Sequence, residues 1–261
     1  MARRDRPQRK LRGPPVVELR KRILVVCEGE VTEPNYLNAL KDWKKTPTVE
    51  VRVEGPAGDP FTLVTKAKEM KISADAEAEK RDDDTFRYDE VWCCFDVDKF
   101  DNVARSRDMA KANGLFLAMS NPCFELWLYL HFKDSPGMQG HHDMQDLWKK
   151  LQPELAEKHI DFETMKAGYD EAIRRAKRLD EAARQASEPN RNPTTEVYLL
   201  VLSIDAEGRE RREAAERERR EQESSRGREQ AAKAEALAWE LVKEQETAEA
   251  PAGTSPPESE G

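Results

Sequence analysis

The order of apolar and polar positions along the chain predicts strands that alternate with helices. Short apolar runs rich in β-branched residues predict strands at Arg22–Cys27 and Tyr88–Asp96, because a strand buried on both faces is apolar throughout. Alternation at Val49–Val53 and a run at Leu115–Met119 predict two more. We therefore expect parallel β–α–β units and an α/β sandwich whose mostly parallel sheet has about four or five strands flanked by helices.

Capping residues mark several of the helices between these strands. Thr32 has the character of an N-cap, and Asp59 caps a helix that Pro60 opens. His141, His142 and Asp143 are interpreted as a solvated loop and helix cap, with metal binding by the adjacent histidines as the alternative. We predict helices over residues 32–45, 60–79, 103–112, 124–132, 144–151, 162–186 and 194–202.

Composition divides the chain into four regions. We predict a basic flexible arm over residues 1–20, a folded domain over 21–203, a charged helical extension over 204–250 and a disordered tail over 251–261. The extension is rich in Glu, Arg, Ala and Gln with opposite charges at i,i+4 spacing, which is typical of a solvated single helix. It lacks sustained apolar heptads, so a coiled coil is poorly supported.

The overall balance excludes some classes of protein. The 261 residues carry a net charge of −8, and no apolar run approaches the ~20 residues that span a bilayer. The chain begins without the pattern of a secretory signal, so we expect a cytoplasmic protein with no membrane association. Four cysteines form no CxxC pair, which argues against a zinc site and, in a reducing compartment, against structural disulfides.

The basic arm is a candidate for binding nucleic-acid phosphates, with a merely solubilising tail as the alternative. Its candidate contact residues are Arg3, Arg4, Arg6, Arg9, Lys10 and Arg12.

Carboxylates follow two of the predicted strands directly. Glu28, Gly29 and Glu30 come after the first strand, and Asp96 and Asp98 come after the third. If these strands are neighbours, Glu28, Asp96 and Asp98 converge at the carboxyl edge of the sheet, where open α/β folds place their sites. Three carboxylates repel one another unless a cation neutralises them, and oxygen ligands favour Mg²⁺ or Mn²⁺. Such a site polarises phosphoryl oxygens and activates water.

Weaker interpretations of these acids stay open. One alternative is that Asp98 or Asp101 simply caps the next helix, and another is that Glu30 only supports the site or lies on the surface. Lys99, next to the cluster, either stabilises developing phosphoryl charge or is a solvated surface lysine.

A further group of polar residues surrounds the fourth strand and the helix after it. Asn121 ends that strand and lies near the same edge. Glu125, within an apolar helix, either joins the metal site or faces solvent or a buried base such as His131, although their spacing is not that of a helical pair. His131 is interpreted mainly as a core histidine, with a functional role as the alternative.

These motifs resemble known families. ILVVCEG at 23–29 followed by the DVD at 96–98 resembles the Toprim domain of topoisomerases, primases and OLD-type nucleases. A wider set is similar to the RloB-like family of bacterial anti-phage defence and restriction-associated proteins, over about residues 20–203. The set comprises ILVVCEGEVTEPNY at 23–36, FDVDKFD at 95–101, SNPCFELWLYLHF at 120–132 and NPTTEVYLLV at 192–201.

The resemblance implies a Toprim-like fold in which Glu28 is the acid/base residue and Asp96 and Asp98 bind the metal. The implied activity is cleavage of phosphodiester bonds in DNA or RNA. The alternative is a non-catalytic effector or scaffold subunit that works with a partner ATPase, which the charged extension favours. A haloacid-dehalogenase-type phosphatase is disfavoured because its DxD follows the first strand, whereas this one follows the third.

Overall fold

A five-stranded sheet organises the computed structural model and confirms the predicted α/β class. The structure describes residues 21–53, 59–97, 103–153, 162–205, 217, 219–221, 224–228 and 233. The strands are β1 (Ile23–Cys27), β2 (Val49–Val53), β3 (Glu90–Asp96), β4 (Phe116–Asn121) and β5 (Thr194–Thr195). Their order in the sheet is β2-β1-β3-β4-β5, with β5 antiparallel to β4 and the other pairs parallel.

Helices cover both faces of this sheet. They are α1 (Thr32–Lys44), α2 (Pro60–Arg81), α3 (Val103–Ala112), α4 (Glu125–Leu130), α5 (His141–Leu151), α6 (Phe162–Lys166), α7 (Tyr169–Gln185) and α8 (Val197–Ile204). A second compact unit of the chain begins at Glu210, and its residues 219–221 and 224–228 are helical. Across the described residues, no helix combines the length and apolar composition that crossing a bilayer requires.

Alternate residues of β1 enter two separate cores. Val25 and Cys27 pack with α1, α4 and the later helices, whereas Leu24 and Val26 pack with α2 and α3. All five β1 residues are buried, which explains why the sequence of this strand is apolar without alternation. Glu28, the residue directly after β1, is only half-buried, so a charged side chain can lie there.

The two predicted helix caps have different outcomes. Asp59 caps α2 as predicted, because its carboxylate accepts hydrogen bonds from the amides of Phe61 (2.9 Å) and Thr62 (3.3 Å). The prediction for Thr32 is wrong. Thr32 is the first helical residue of α1, and Val31 occupies the cap position without a side-chain cap.

The single helix predicted over residues 162–186 is divided into α6 and α7. The break lies at Ala167 and Gly168. A Cβ at Gly168 would overlap the backbone carbonyl of His131 at the end of α4, so the glycine lets the two segments approach closely. Glycine also weakens a helix at this position, which is consistent with the break.

Two helix starts also differ from the prediction. His141, His142 and Asp143 form the first turn of α5 rather than a loop, with Gly140 at the N-cap position. Thr194 and Thr195 form β5 instead of beginning a helix. Backbone pairing with the end of β4 and a 2.8 Å hydrogen bond between the Ser120 and Thr195 hydroxyls hold this short strand, so a non-local partner outweighs local helix propensity.

A buried ionic network joins α7 to the segment that contains β5 and α8. Asp180, only 2% exposed, accepts hydrogen bonds from Arg184 (3.0 Å) and from the Tyr198 hydroxyl (2.7 Å). The other side of Arg184 lies 3.6 Å from Glu196. Burial raises the pKa of Glu196 to about 7, and the charge of Asp180 adds to the rise. Because β5 pairs with β4, this network supports one edge of the sheet.

We expect Asp180→Ala to lower the free energy of unfolding by about 3 kcal/mol or more, since it leaves Arg184 buried without its main counter-ion. Tyr198→Phe removes a single hydrogen bond and should cost about 1 kcal/mol. The control Glu188→Ala removes an acid that is 64% exposed and should change stability by less than about 0.5 kcal/mol. Guanidinium denaturation measures all three, and equal effects of Asp180→Ala and Glu188→Ala would contradict a structural role for the network.

Candidate functional site

The carboxyl ends of β1 and β3 lie side by side, as the sequence predicts. In their parallel register Cys27 is the partner of Cys94, and the Glu28 amide donates to the Cys94 carbonyl at 3.0 Å. The Glu28 carboxylate then accepts a hydrogen bond from the backbone amide of Asp96 at 3.2 Å. This bond fixes the Glu28 side chain across the end of β3.

A cleft of about 390 Å³ opens at this edge. Its walls come from the loop after β1, the first turn of α1, the end of β3 and the starts of α4 and α5. Five carboxylates line it, those of Glu28, Glu30, Glu33, Asp96 and Glu125. Phe124 and Gln145 also line the cleft, and among its described lining residues there is no lysine or arginine. The cleft is therefore strongly negative unless protons or cations enter it.

Glu33 is a member of this cleft that the sequence interpretation missed. Its side chain is only 7% exposed. Burial raises its pKa to about 7, and the charges of Glu125 and Glu28 add to the rise, while the backbone amides of Glu33 and Gly29 oppose it. The sequence could have indicated its burial, because Glu33, Leu37 and Leu40 are spaced as residues on one buried face of α1.

Gly29 leaves open the space that the Glu33 carboxylate occupies. A Cβ at position 29 would overlap the carboxylate of Glu33. The glycine after Glu28 thus makes room for a second acid behind the first. This gives a physical reason for the Glu-Gly pair at the end of β1.

Glu125 lines the cleft, whereas Asn121 does not. Glu125 is the first residue of α4, and its charge raises the pKa of the neighbouring Glu33. Asn121 instead donates its side-chain amide to the carbonyl of Asn190 at 2.8 Å, so it holds the loop before β5 against the end of β4.

His131 lies in the core with both ring nitrogens bonded to other groups. Its Nδ1 is 3.0 Å from the carbonyl of Trp127, which can only accept, so this nitrogen carries the proton. Its Nε2 then accepts from the Tyr36 hydroxyl at 3.1 Å. Burial lowers the pKa of His131 to about 4, so the ring is neutral and is not a partner of Glu125.

The buried cysteines beside the cleft are neutral thiols. Burial raises the pKa of Cys123, and nearby Glu125 and Asp96 raise it further. A hydrogen bond with Cys27 and burial raise the pKa of Cys94. Because only thiolates are good nucleophiles and metal ligands, the chemistry of this cleft rests on its carboxylates.

Several predicted site residues lie outside the part of the chain that the structure describes. They are Asp98, Lys99 and Asp101 after β3, and the arm residues Arg3, Arg4, Arg6, Arg9, Lys10 and Arg12.

The cleft suits a hard divalent cation, because its five acidic side chains offer carboxylate oxygens as ligands. Within the described residues, however, no group of three or more His, Cys, Asp and Glu side chains is arranged to hold a metal ion. Glu28 and Asp96 are described members of the trio that the sequence predicts, and a complete metal site remains a prediction.

The fold and the cleft define an α/β domain with an acidic site at the carboxyl edge of a mostly parallel sheet. A family model described as RloB-like protein matches residues 23–204, which include the whole sheet and helices α1–α8. The chain belongs to the RloB-like family. No curated protein and no solved structure matches the chain.

Glu33 makes the stability of the protein depend on pH. The carboxyl group of Glu33 has a pKa of about 7 in the folded protein and about 4.5 in the unfolded chain. The folded protein therefore binds more protons between these pH values, and the free energy of unfolding falls as the pH rises from 4.5 to 7. We expect Glu33→Gln to remove this loss of stability, which amounts to about 3 kcal/mol. As the pH rises from 5 to 8, the free energy of unfolding of the variant should therefore increase relative to that of the wild type.

Denaturant unfolding in EDTA measures this difference at each pH. The matched control is Glu163→Gln, an acid that is 77% exposed, which should run parallel to the wild type. Parallel curves for Glu33→Gln and the wild type would show that Glu33 is ionised in the folded protein.

Proposed function

We propose that the protein is a Mg²⁺- or Mn²⁺-dependent phosphodiester hydrolase that cleaves nucleic acid in bacterial anti-phage defence. One observation carries the proposal: the Glu28 carboxylate is held on the Asp96 amide inside an acidic cleft at the carboxyl edge of the sheet. The Toprim resemblance supports it, because it gives Glu28 and Asp96 the roles of acid/base residue and metal ligand.

Asp96 and Asp98 are the proposed metal ligands, and Glu125, which lines the cleft together with Asp96, is a further candidate. When bound, such a cation polarises a phosphoryl oxygen and lowers the pKa of water. The negative charge of the cleft supports this assignment, because a divalent cation would relieve the repulsion among its carboxylates.

Glu28 is the proposed general base. Its carboxylate would take a proton from a water that attacks phosphorus, the P–O bond to the leaving strand would break, and the leaving oxygen would gain a proton from solvent. The hydrogen bond from the Asp96 amide holds Glu28 in one orientation, which matters because general bases act only within hydrogen-bonding reach. Lys99 is proposed to stabilise the charge that develops on the phosphoryl group.

A polyanionic substrate needs cations to approach this protein. The chain has a net charge of −8 and its cleft is acidic, so phosphates are repelled unless basic groups hold them. The basic arm, through Arg3, Arg4, Arg6, Arg9, Lys10 and Arg12, is proposed to supply part of that attraction.

We expect purified protein to cleave DNA or RNA in Mg²⁺ or Mn²⁺, and Glu28→Gln and Asp96→Asn each to lower the rate at least about 100-fold. The matched control is Asp146→Asn, the same change of acid to amide beside the cleft residue Gln145 but in a side chain that is 61% exposed. Cleavage of labelled DNA, tRNA and total RNA measures the rates. Activity that survives both cleft substitutions would come from another source.

The alternative is a non-catalytic effector or scaffold subunit that works with a partner ATPase. The helical, charge-rich residues 219–221 and 224–228 of the second unit support it, because they offer a separate surface for a partner. Calorimetric titration with Mg²⁺ and Mn²⁺ separates the two proposals. Binding that Asp96→Asn abolishes favours the hydrolase, whereas a chain that binds neither ion favours the scaffold.

A further inference from the structure

A second cleft, of about 430 Å³, lies at the β2 side of the sheet, and none of its described lining residues belongs to the acidic cleft. Among the described strands β2 pairs only with β1, and residues 49–52 of β2 line this groove. The charged residues of the groove are Arg22, Lys41, Glu50 and Arg52, and we call it the edge groove.

The charge of the edge groove is opposite to that of the chain. Three cations face a single carboxylate, whereas the whole protein carries −8. Arg22 directly precedes β1, Arg52 lies on β2 and Lys41 lies on α1. A local excess of positive charge on an acidic protein attracts anions to that one place.

Glu50 orients both arginines without exhausting them. Its carboxylate accepts from Arg52 at 2.7 Å and lies 3.6 Å from Arg22, and it also accepts from the Tyr88 hydroxyl at 2.6 Å. The Arg22 guanidinium lies 4.2 Å from the centre of the Tyr88 ring. Arg22 also donates from Nη1 to the Phe86 carbonyl, and Arg52 also contacts Glu50 through Nη2. Because a guanidinium carries five N–H donors in a fixed fork, each arginine retains donors for phosphate oxygens in a preset orientation.

A neighbouring side chain also orients Lys41, the third cation of the groove. The Lys41 ammonium donates to the Asn38 side-chain oxygen at 3.1 Å, one turn earlier on α1. One bond from a group with three donors leaves it able to bind a phosphate as a point charge.

The edge groove connects two features of the proposed hydrolase. Arg52 is in register with Val26, two residues before Glu28, so it lies about 7 Å along the strand direction from the acidic cleft. At the other end, the basic arm joins the described chain at Lys21, next to Arg22. A strand held in the groove therefore extends from the root of the arm toward the carboxylates.

We infer that the edge groove binds the phosphate backbone of a nucleic-acid strand through Arg22, Lys41 and Arg52 and leads it to the acidic cleft. The inference rests on the proposed function for its choice of polyanion. Charged residues on an edge strand also prevent pairing with other chains. That role does not require Lys41, which projects from a helix.

The test is binding without cleavage, measured by fluorescence anisotropy in EDTA with labelled single strands of about 20 nucleotides, as DNA and as RNA of one sequence. We expect Lys41→Ala/Arg52→Ala to raise Kd at least about tenfold. The slope of log K against log salt should fall by about 1.4, as loss of two phosphate contacts to a single strand requires. The two oligonucleotides show which polymer the groove prefers.

The matched control is Lys149→Ala/Arg174→Ala, which removes the same two positive charges. These side chains are 56% and 63% exposed, and each forms an ion pair with one acid. Arg52 is comparable, because it is 61% exposed and is paired with Glu50. Its Kd should stay within about twofold of the wild type. Thermal melting shows that both double variants are folded. Equal weakening by both, or unchanged binding in the groove variant, would overturn the inference.

Asp96→Asn separates this inference from the proposed function. It should bind both oligonucleotides at least as tightly as the wild type does, because it removes a negative charge from the cleft, while failing to cleave them. If the wild type cleaves nothing but the groove variant alone loses binding, the groove assignment stands and the hydrolase falls. If the wild type cleaves and the groove variant binds normally, the hydrolase stands and the groove assignment falls.

Discussion

Parallel pairing of β1 with β3 decides where the charges of this protein lie. Parallel strands end at the same edge of a sheet, and the pairing of Cys27 with Cys94 brings Glu28 to the amide of Asp96. A slip of one residue would turn the buried side chains of β1 toward the opposite core, so the packing of both faces fixes this register. The cleft thus depends on the hydrophobic core beneath it.

Two helices bring further acids to the same place. Glu33 and Glu125 lie in the first turns of α1 and α4, where the positive end of a helix dipole offsets negative charge. Burial still dominates at Glu33 and raises its pKa to about 7. Gly29 gives this acid its space. The cleft therefore combines one exposed carboxylate and three half-buried ones with a buried carboxyl group whose pKa is about 7.

The sheet also separates charges of opposite sign. Acids collect at the carboxyl edge of β1 and β3, while cations collect beside β2, which is the edge strand among the described strands. Arg52 lies close to the point where the two regions approach each other, because its strand partner Val26 precedes Glu28 by two residues. Polyanion binding and phosphodiester chemistry, if both are present, would therefore occupy adjacent parts of one rigid sheet.

Much of this arrangement follows from local sequence. The continuous apolar run of β1 predicts a strand buried on both faces, Asp59 predicts the start of α2, and carboxylates at strand ends predict a site at the carboxyl edge. Each depends on residues that are close in the chain, where helical and strand periodicities act.

Other features depend on contacts between distant segments. Thr194 and Thr195 form a strand because β4 offers them backbone partners, and the break at Gly168 follows from the carbonyl of His131. The burial of Glu33 and the place of β2, with Arg52, at the end of the described strand order likewise depend on which elements become neighbours. Local propensities differ by about 1 kcal/mol or less per residue, so tertiary packing overrides them, and only the folded chain decided these positions.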